Sequence, residues 1–186
     1  VTAQTATVKM CKTDDTEAHN PLGGWNLTLK GAHVDDLVVP TNSSSGVDTA
    51  ATLDAGTSYL ASATGTWSNQ NGSNLVDAEY STIDNWANHM DGYDGYQTDI
   101  LELQANQTFD PNSNWGPYNS LHAYAQSFIQ PANGTANFRI FDGTGTTQNE
   151  DWFADNSGTL AVSLDKGYSG ITDAETGCVT FDNVPY

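Results

Sequence analysis

The chain contains 186 residues, of which 37% are apolar and 10% aromatic, and this suffices for the core of one large or two small domains. Five Lys and Arg residues stand against 23 Asp and Glu residues, so the formal net charge is −18. Such a charge repels phosphate backbones and anionic membrane surfaces, which excludes nucleic acid as a partner, whereas it suits a protein that meets divalent cations or high salt. No run of about 18 apolar residues is present, so no insertion into a membrane is expected.

Alternation of polar and apolar residues, bounded by Gly, Asn and Ser turns, predicts short strands along the whole chain. Their regular spacing indicates an all-β chain built as a sandwich or barrel. One stretch, residues 81–90, is compatible with a short helix. The predicted strands cover residues 5–12, 25–30, 36–39, 50–53, 58–63, 100–103, 121–129, 136–141, 159–164 and 177–181.

The two cysteines, Cys11 and Cys178, lie near opposite ends of the sequence. Their separation fits no metal-binding or redox motif, so we expect a disulfide, with two buried free thiols as the alternative. Sequons are weaker evidence, because a chain this rich in Asn and Thr produces roughly three or four by chance. Candidate glycosylation sites, which fit an extracellular chain, are Asn26, Asn42, Asn71, Asn106 and Asn133.

The loop from Asp142 to Gly158 carries several carboxylate and amide side chains. The alternating runs before and after it, residues 136–141 and 159–164, are predicted to be neighbouring strands, so Asp142 should converge with Asp155 and Asn156. Carboxylate and amide oxygens are the ligands that calcium prefers, so a calcium site is predicted here, with an acidic surface loop as the alternative. Trp152 in the same loop is either a platform on which a sugar stacks or a ring that packs over the loop. Residues 110–116 imitate the first half of an EF-hand loop, but the Glu at its twelfth position is absent.

Two stretches near the ends of the chain carry a first resemblance. Residues 21–31 read Pro-Leu-Gly-Gly-Trp-Asn-Leu-Thr-Leu-Lys-Gly, and residues 172–185 read Thr-Asp-Ala-Glu-Thr-Gly-Cys-Val-Thr-Phe-Asp-Asn-Val-Pro. Both resemble the collagen-adhesin B-type surface repeats, which are small transthyretin-like β-sandwiches. This resemblance implies a discontinuous transthyretin-like sandwich over residues 1–32 and 168–186, with residues 33–167 inserted into it.

The inserted part carries a second resemblance. Residues 62–68, residues 120–130, and residues 138–142 together with 155–162 occur in the order found in bacterial PA-I type galactose-binding lectins. This resemblance implies a jelly-roll-like β-sandwich in which Asp142, Asp155 and Asn156, with a carbonyl near Asn69, bind a calcium ion that coordinates sugar hydroxyls. In that family a His-x-Asp loop adds sugar contacts, and His89 and Asp91 stand at the corresponding place here.

No sequence motif for catalysis is present: a Gly-x-Ser-x-Gly elbow, a His-Glu-x-x-His helix and a phosphate-binding loop are all missing. We therefore interpret the chain as a non-catalytic, extracellular, calcium-dependent carbohydrate-binding module of a cell-surface or adhesive protein, with a glycan or surface polysaccharide as partner. The alternative is a structural subunit of an extracellular filament or surface layer, in which calcium is only structural. Such a subunit would self-associate by strand complementation, with residues 1–8 as the donor unless they pair within their own chain.

Overall fold

The computed structural model describes residues 4–88, 99–105, 115–144 and 147–185, and this part is all-β, as predicted. Its only helical segments are three short pieces of 3₁₀ helix, at Gln70–Gly72, Thr82–Asp84 and Glu150–Asp155. The strands are β1 (Thr5–Cys11), β2 (Asn26–Pro40), β3 (Val47–Asp48), β4 (Ser58–Thr64), β5 (Trp67–Asn69), β6 (Asn74–Val76), β7 (Tyr80–Ser81), β8 (Ala87–Asn88), β9 (Asp99–Ala105), β10 (Ala123–Ile129), β11 (Asn137–Thr144), β12 (Thr147–Gln148), β13 (Thr159–Ile171) and β14 (Cys178–Pro185).

Two antiparallel sheets form the main body. The first has the order β10-β4-β13-β2. The second is centred on β11, which pairs with β9 on one side and with β3 and β12 on the other. Alternate side chains of both sheets are buried in one shared core; examples are Leu160 and Val162 of β13 and Phe138 and Ile140 of β11. Phe128 of the first sheet meets Phe138 of the second edge to face at 6.1 Å, so the two sheets pack as a sandwich.

The strands β2 and β13 are long enough to leave the sandwich. They pair from Pro40 with Thr159 to Asn26 with Ile171, and their far ends carry the two-stranded sheet of β1 and β14. Phe181 of β14 packs on Tyr168 of β13 at 6.2 Å. The predicted domain boundaries, at residues 32/33 and 167/168, fall inside β2 and β13, and the division into two domains stays a prediction.

The expected disulfide between Cys11 and Cys178 is present and joins β1 to β14. Within the predicted donor segment, residues 1–8, Thr5 to Val8 pair with β14 of their own chain. This pairing within one chain is the alternative given above to donation of the segment to another chain. In the described part of the chain, no helix has the length and apolarity needed to cross a bilayer.

Three strand and helix predictions are wrong. Within residues 81–90, a single 3₁₀ turn is followed by β8, because Asn85 and Trp86 adopt left-handed φ angles of 56° and 62°, which a helix does not contain. Residues 50–53 form no strand; Leu53 makes only an isolated bridge to Gly134. Residues 25–30 and 36–39 are not separate strands but parts of β2, which continues through the non-alternating residues between them.

Candidate functional site

The two ends of the loop from Asp142 to Gly158 meet, although not for the predicted reason. The strands β11 and β13, which flank the loop, belong to different sheets, so the prediction that they are neighbouring strands is wrong. The sheets face each other, and the loop passes from one to the other at one end of the sandwich. The Asn156 side chain donates from Nδ2 to Asp142 Oδ2 at 2.8 Å and to the Thr41 carbonyl at 3.2 Å. Convergence therefore comes from packing between sheets, not from pairing within one.

The residues inside the loop are held by local structure. The end of β11 pairs with β12, and the Asn149 amide donates to the Asp142 carbonyl at 2.9 Å. The Asn149 side chain then caps the 3₁₀ turn by accepting from the Asp151 amide at 3.2 Å. Phe153 in the middle of this turn is buried in the sandwich core. Its burial anchors the turn and fixes Trp152 and Asp155 on either side of it.

A third element completes the site. Ser68 in the middle of β5 exchanges both backbone hydrogen bonds with Ser157, at 2.8 and 2.9 Å. The preceding residue of β5, Trp67, is almost fully buried and donates from its indole nitrogen to the Asp77 carbonyl. With β5 fixed at both points, Asn69 comes to lie beside the end of the loop.

These elements enclose a small pocket with a volume of about 110 Å³, lined by Asn69, Gln70, Asp142, Trp152 and Asp155. All of these residues except Gln70 are predicted from the sequence. Asn156 does not line the pocket, but its side chain donates a hydrogen bond to Asp142, which does. Gln70 was missed because a polar residue in a loop gives no signal; the structure distinguishes it by a left-handed φ of 51°.

The chemistry of this pocket is that of a site for a hard cation. Asp142 is 1% exposed and Asn69 is 4% exposed, so their oxygens are screened from bulk water. Asp155 Oδ1 and Asn156 Oδ1 are buried and have no hydrogen-bond partner within the described residues. None of the five lining residues is a Lys or Arg. A buried carboxylate is costly unless its charge is compensated, and a bound cation is one way to offset that cost.

The ligand types limit which cation fits. Within residues 4–88, 99–105, 115–144 and 147–185, no three His, Cys, Asp or Glu side chains are close enough together to hold a metal ion. The pocket offers two carboxylates, while its other oxygens come from amide side chains and the backbone. Such a mixed oxygen set is accepted by calcium, whereas zinc and other transition metals favour nitrogen and sulfur.

Several predicted residues fall elsewhere. His89 and Asp91, Asn106, and most of the EF-hand-like stretch at residues 110–116 lie outside the described residues. Glu150 and Asp151 are exposed on the 3₁₀ turn and do not line the pocket. The remaining sequons, at Asn26, Asn42, Asn71 and Asn133, are all exposed.

Buried acids elsewhere in the sandwich were also missed by the sequence analysis. Asp77, Glu79, Glu102 and Asp165 are each at most 1% exposed. In the sequence they look like members of a generally acidic surface. Asp165 is paired with Lys30 at 2.7 Å, and Asp77 accepts four hydrogen bonds.

The fold and pocket define an all-β sandwich with an oxygen-lined, negatively charged site at one end. No protein-family model matches the sequence, and the comparison with curated proteins gives no match. Among solved structures, the chain is similar to the N-terminal domain of EclA, described as a PllA-like lectin, with 17% identity and a TM-score of 0.42. The match covers 72% of this chain and 97% of that chain. At this level the similarity carries no argument about function, which rests on the residues of the pocket.

Proposed function

We propose that this chain is a non-catalytic carbohydrate-binding module in which calcium, held at the pocket, contacts the sugar. The observation that carries the proposal is the convergence of Asn69, Asp142 and Asp155 on one small pocket from three separate elements. Asp142 and Asp155 would supply the charged ligands. Asn156, the third predicted ligand, does not line the pocket and would instead position Asp142, because its Nδ2 donates to Asp142 Oδ2 and to the Thr41 carbonyl.

The position of Trp152 at the pocket supports a role for this residue in sugar binding. Trp152 is half-buried and lines the pocket beside the two carboxylates. An indole next to a calcium ion offers an apolar face for sugar C–H groups, while the open positions of the ion take sugar hydroxyls. A secreted or cell-surface location suits this chemistry, because calcium is abundant outside cells and disulfides persist there.

Calorimetric titration tests the ion site. The wild type should bind calcium with a dissociation constant between about 1 µM and 1 mM, the range of sites with few carboxylates. Asp142→Ala and Asp155→Ala should each bring binding below detection. Asp151→Ala is the matched control, because it removes the same charge from the same loop without touching the pocket. Unchanged binding in both pocket variants, or equal loss in the control, would remove the proposed site.

A glycan panel, titrated with calcium and then with excess chelator, tests the second half of the proposal. Binding should require calcium, and Trp152→Ala should weaken sugar binding while leaving calcium affinity within about twofold. Calcium binding without any glycan binding would instead support a structural ion.

A further inference from the structure

A group of aromatic side chains, which we call the aromatic cluster, lies outside the calcium pocket. It contains Tyr80, Trp86, Tyr118, His122 and Tyr124. Trp86 stacks on Tyr118 with ring centroids 5.4 Å apart and meets the His122 ring at 4.5 Å. Tyr118 and His122 are themselves only 5.9 Å apart, so both rings lie on the same side of Trp86. Tyr118 is 39% exposed, whereas Trp86 and His122 are half-buried, so the triangle of rings reaches the surface at Tyr118.

His122 in the cluster is fixed by a buried carboxylate. Its Nδ1 lies 2.9 Å from Asp77 Oδ2, and the same oxygen accepts from the Tyr124 hydroxyl at 2.7 Å. The other oxygen of Asp77 accepts hydrogen bonds from the backbone amides of Glu79 and Tyr80, so the carboxylate itself is held in place. Within the described residues, Nε2 of His122 has no hydrogen-bond partner, while its side chain is 23% exposed. The arrangement leaves one ring nitrogen available for an external group.

The backbone beneath the cluster is strained. Asn85, Trp86 and His122 have φ angles of 56°, 62° and 49°. The left-handed region is uncommon for any residue other than glycine and is an outlier for one as bulky as Trp. Hydrogen bonds hold this conformation, among them Trp86 N to the Ser81 carbonyl at 2.7 Å. Backbone strain of this kind concentrates at ligand-binding and catalytic sites, and the proposed calcium site does not account for it.

We infer that the aromatic cluster is a second binding site, independent of calcium, for a neutral pyranose ring. Tyr118, the exposed ring of the cluster, offers an apolar surface to the C–H face of a sugar, and His122 Nε2 can hydrogen-bond to a hydroxyl at the edge of that face. An anionic ligand is disfavoured by the net charge of −18 and by Asp77 behind His122. A quaternary ammonium ion needs ring faces that converge on one point, but Trp86 and Tyr118 direct their faces at each other.

The test is an NMR titration of the full chain in excess chelator, so that the calcium pocket contributes nothing. Methyl glycosides of glucose, galactose and mannose are added in turn, and tetramethylammonium chloride is the comparison. At least one glycoside should produce saturable shifts at His122 and Tyr118, with a dissociation constant on the order of millimolar. Tyr118→Ala should weaken this binding about three- to tenfold, and Tyr118→Phe should retain it. Trp25→Ala, which removes an exposed Trp from outside the cluster, should have no effect.

Three results would overturn the inference: no saturable shift with any glycoside, equal binding in wild type and Tyr118→Ala, or shifts with tetramethylammonium only. If Tyr118→Ala did not fold, the wild-type protein alone would decide the question. Chemical-shift changes confined to residues outside the aromatic cluster would then contradict the inference. Calcium affinity is measured separately and without sugar. Failure of this site and failure of the calcium pocket are therefore distinguishable.

Discussion

Replacement of Asp77 by Ala should be among the most damaging single changes in the chain. The carboxylate is fully buried and accepts four hydrogen bonds, from the Glu79 amide (3.0 Å), the Tyr80 amide (2.7 Å), His122 (2.9 Å) and Tyr124 (2.7 Å). It joins β7 to the start of β10, two elements from different sheets. Removing it takes a shared acceptor from all four donors at once.

The magnitude follows from what each donor can do afterwards. Tyr124 already lies 3.4 Å from the Asn119 carbonyl, and the His122 side chain reaches solvent, so both can find another partner. The two amides lose a buried acceptor, at about 1–3 kcal/mol each. We expect Asp77→Ala to lower the free energy of unfolding by about 3–5 kcal/mol. Asp77→Asn keeps one oxygen for the amides and should cost about 1–2 kcal/mol.

The assay is urea unfolding followed by tryptophan fluorescence and by far-UV circular dichroism. Coincident transitions and an unchanged m-value would show that the loss is in stability and not in the extent of unfolding. A loss below about 1 kcal/mol for Asp77→Ala, or equal losses for the Ala and Asn variants, would refute this reasoning.

Three further predictions concern the whole chain. Burial and the hydrogen bond to Asp77 raise the pKa of Tyr124 above the usual value of about 10. The unfolded chain therefore loses the Tyr124 proton at lower pH than the folded chain, so the free energy of unfolding should fall as the pH rises above about 10. In Tyr124→Phe the free energy of unfolding should fall less steeply over the same pH range. Identical curves for the wild type and the variant would contradict this prediction. Replacing both Cys11 and Cys178 by Ser should cost up to roughly 5 kcal/mol in the same urea assay, because the closed loop spans nearly the whole chain; a cost under about 1 kcal/mol would refute this. At calcium one hundred times its dissociation constant, chelation should remove about 2.7 kcal/mol and lower Tm by roughly 5–10 °C; equal Tm in calcium and chelator would count against bound calcium.

Local pattern predicted much of the fold because β-strands with one buried face alternate. Residues 58–63 and 159–164 alternate cleanly and form β4 and the first half of β13. The same pattern does not say which sheet a strand joins, and so β11 and β13 were wrongly placed side by side. Nor does it show a strand that crosses a break in alternation, as β2 does between residues 30 and 36.

The residues of the two sites differ in how far apart they lie in the sequence, and this decided which contacts could be predicted. Asp142, Asp155 and Asn156 share one loop, so their clustering is visible in the sequence. The Asp77–His122 contact joins residues 45 positions apart, and only the packing of β10 near β7 brings them together. His122 accordingly looked like an ordinary residue of an alternating strand. The left-handed backbone at Trp86 was also invisible, because Trp carries no turn signal.

Sensitised terbium luminescence tests the central claim, that a calcium-type ion sits in the pocket beside Trp152. Terbium occupies oxygen-rich calcium sites and emits when a nearby indole is excited. Wild-type protein should show emission that calcium competes away. Trp152→Phe should lose most of it while keeping calorimetric calcium affinity, and Trp25→Phe, at an exposed Trp outside the pocket, should retain it. Emission that survives unchanged in Trp152→Phe, or in both Asp142→Ala and Asp155→Ala, would contradict the account.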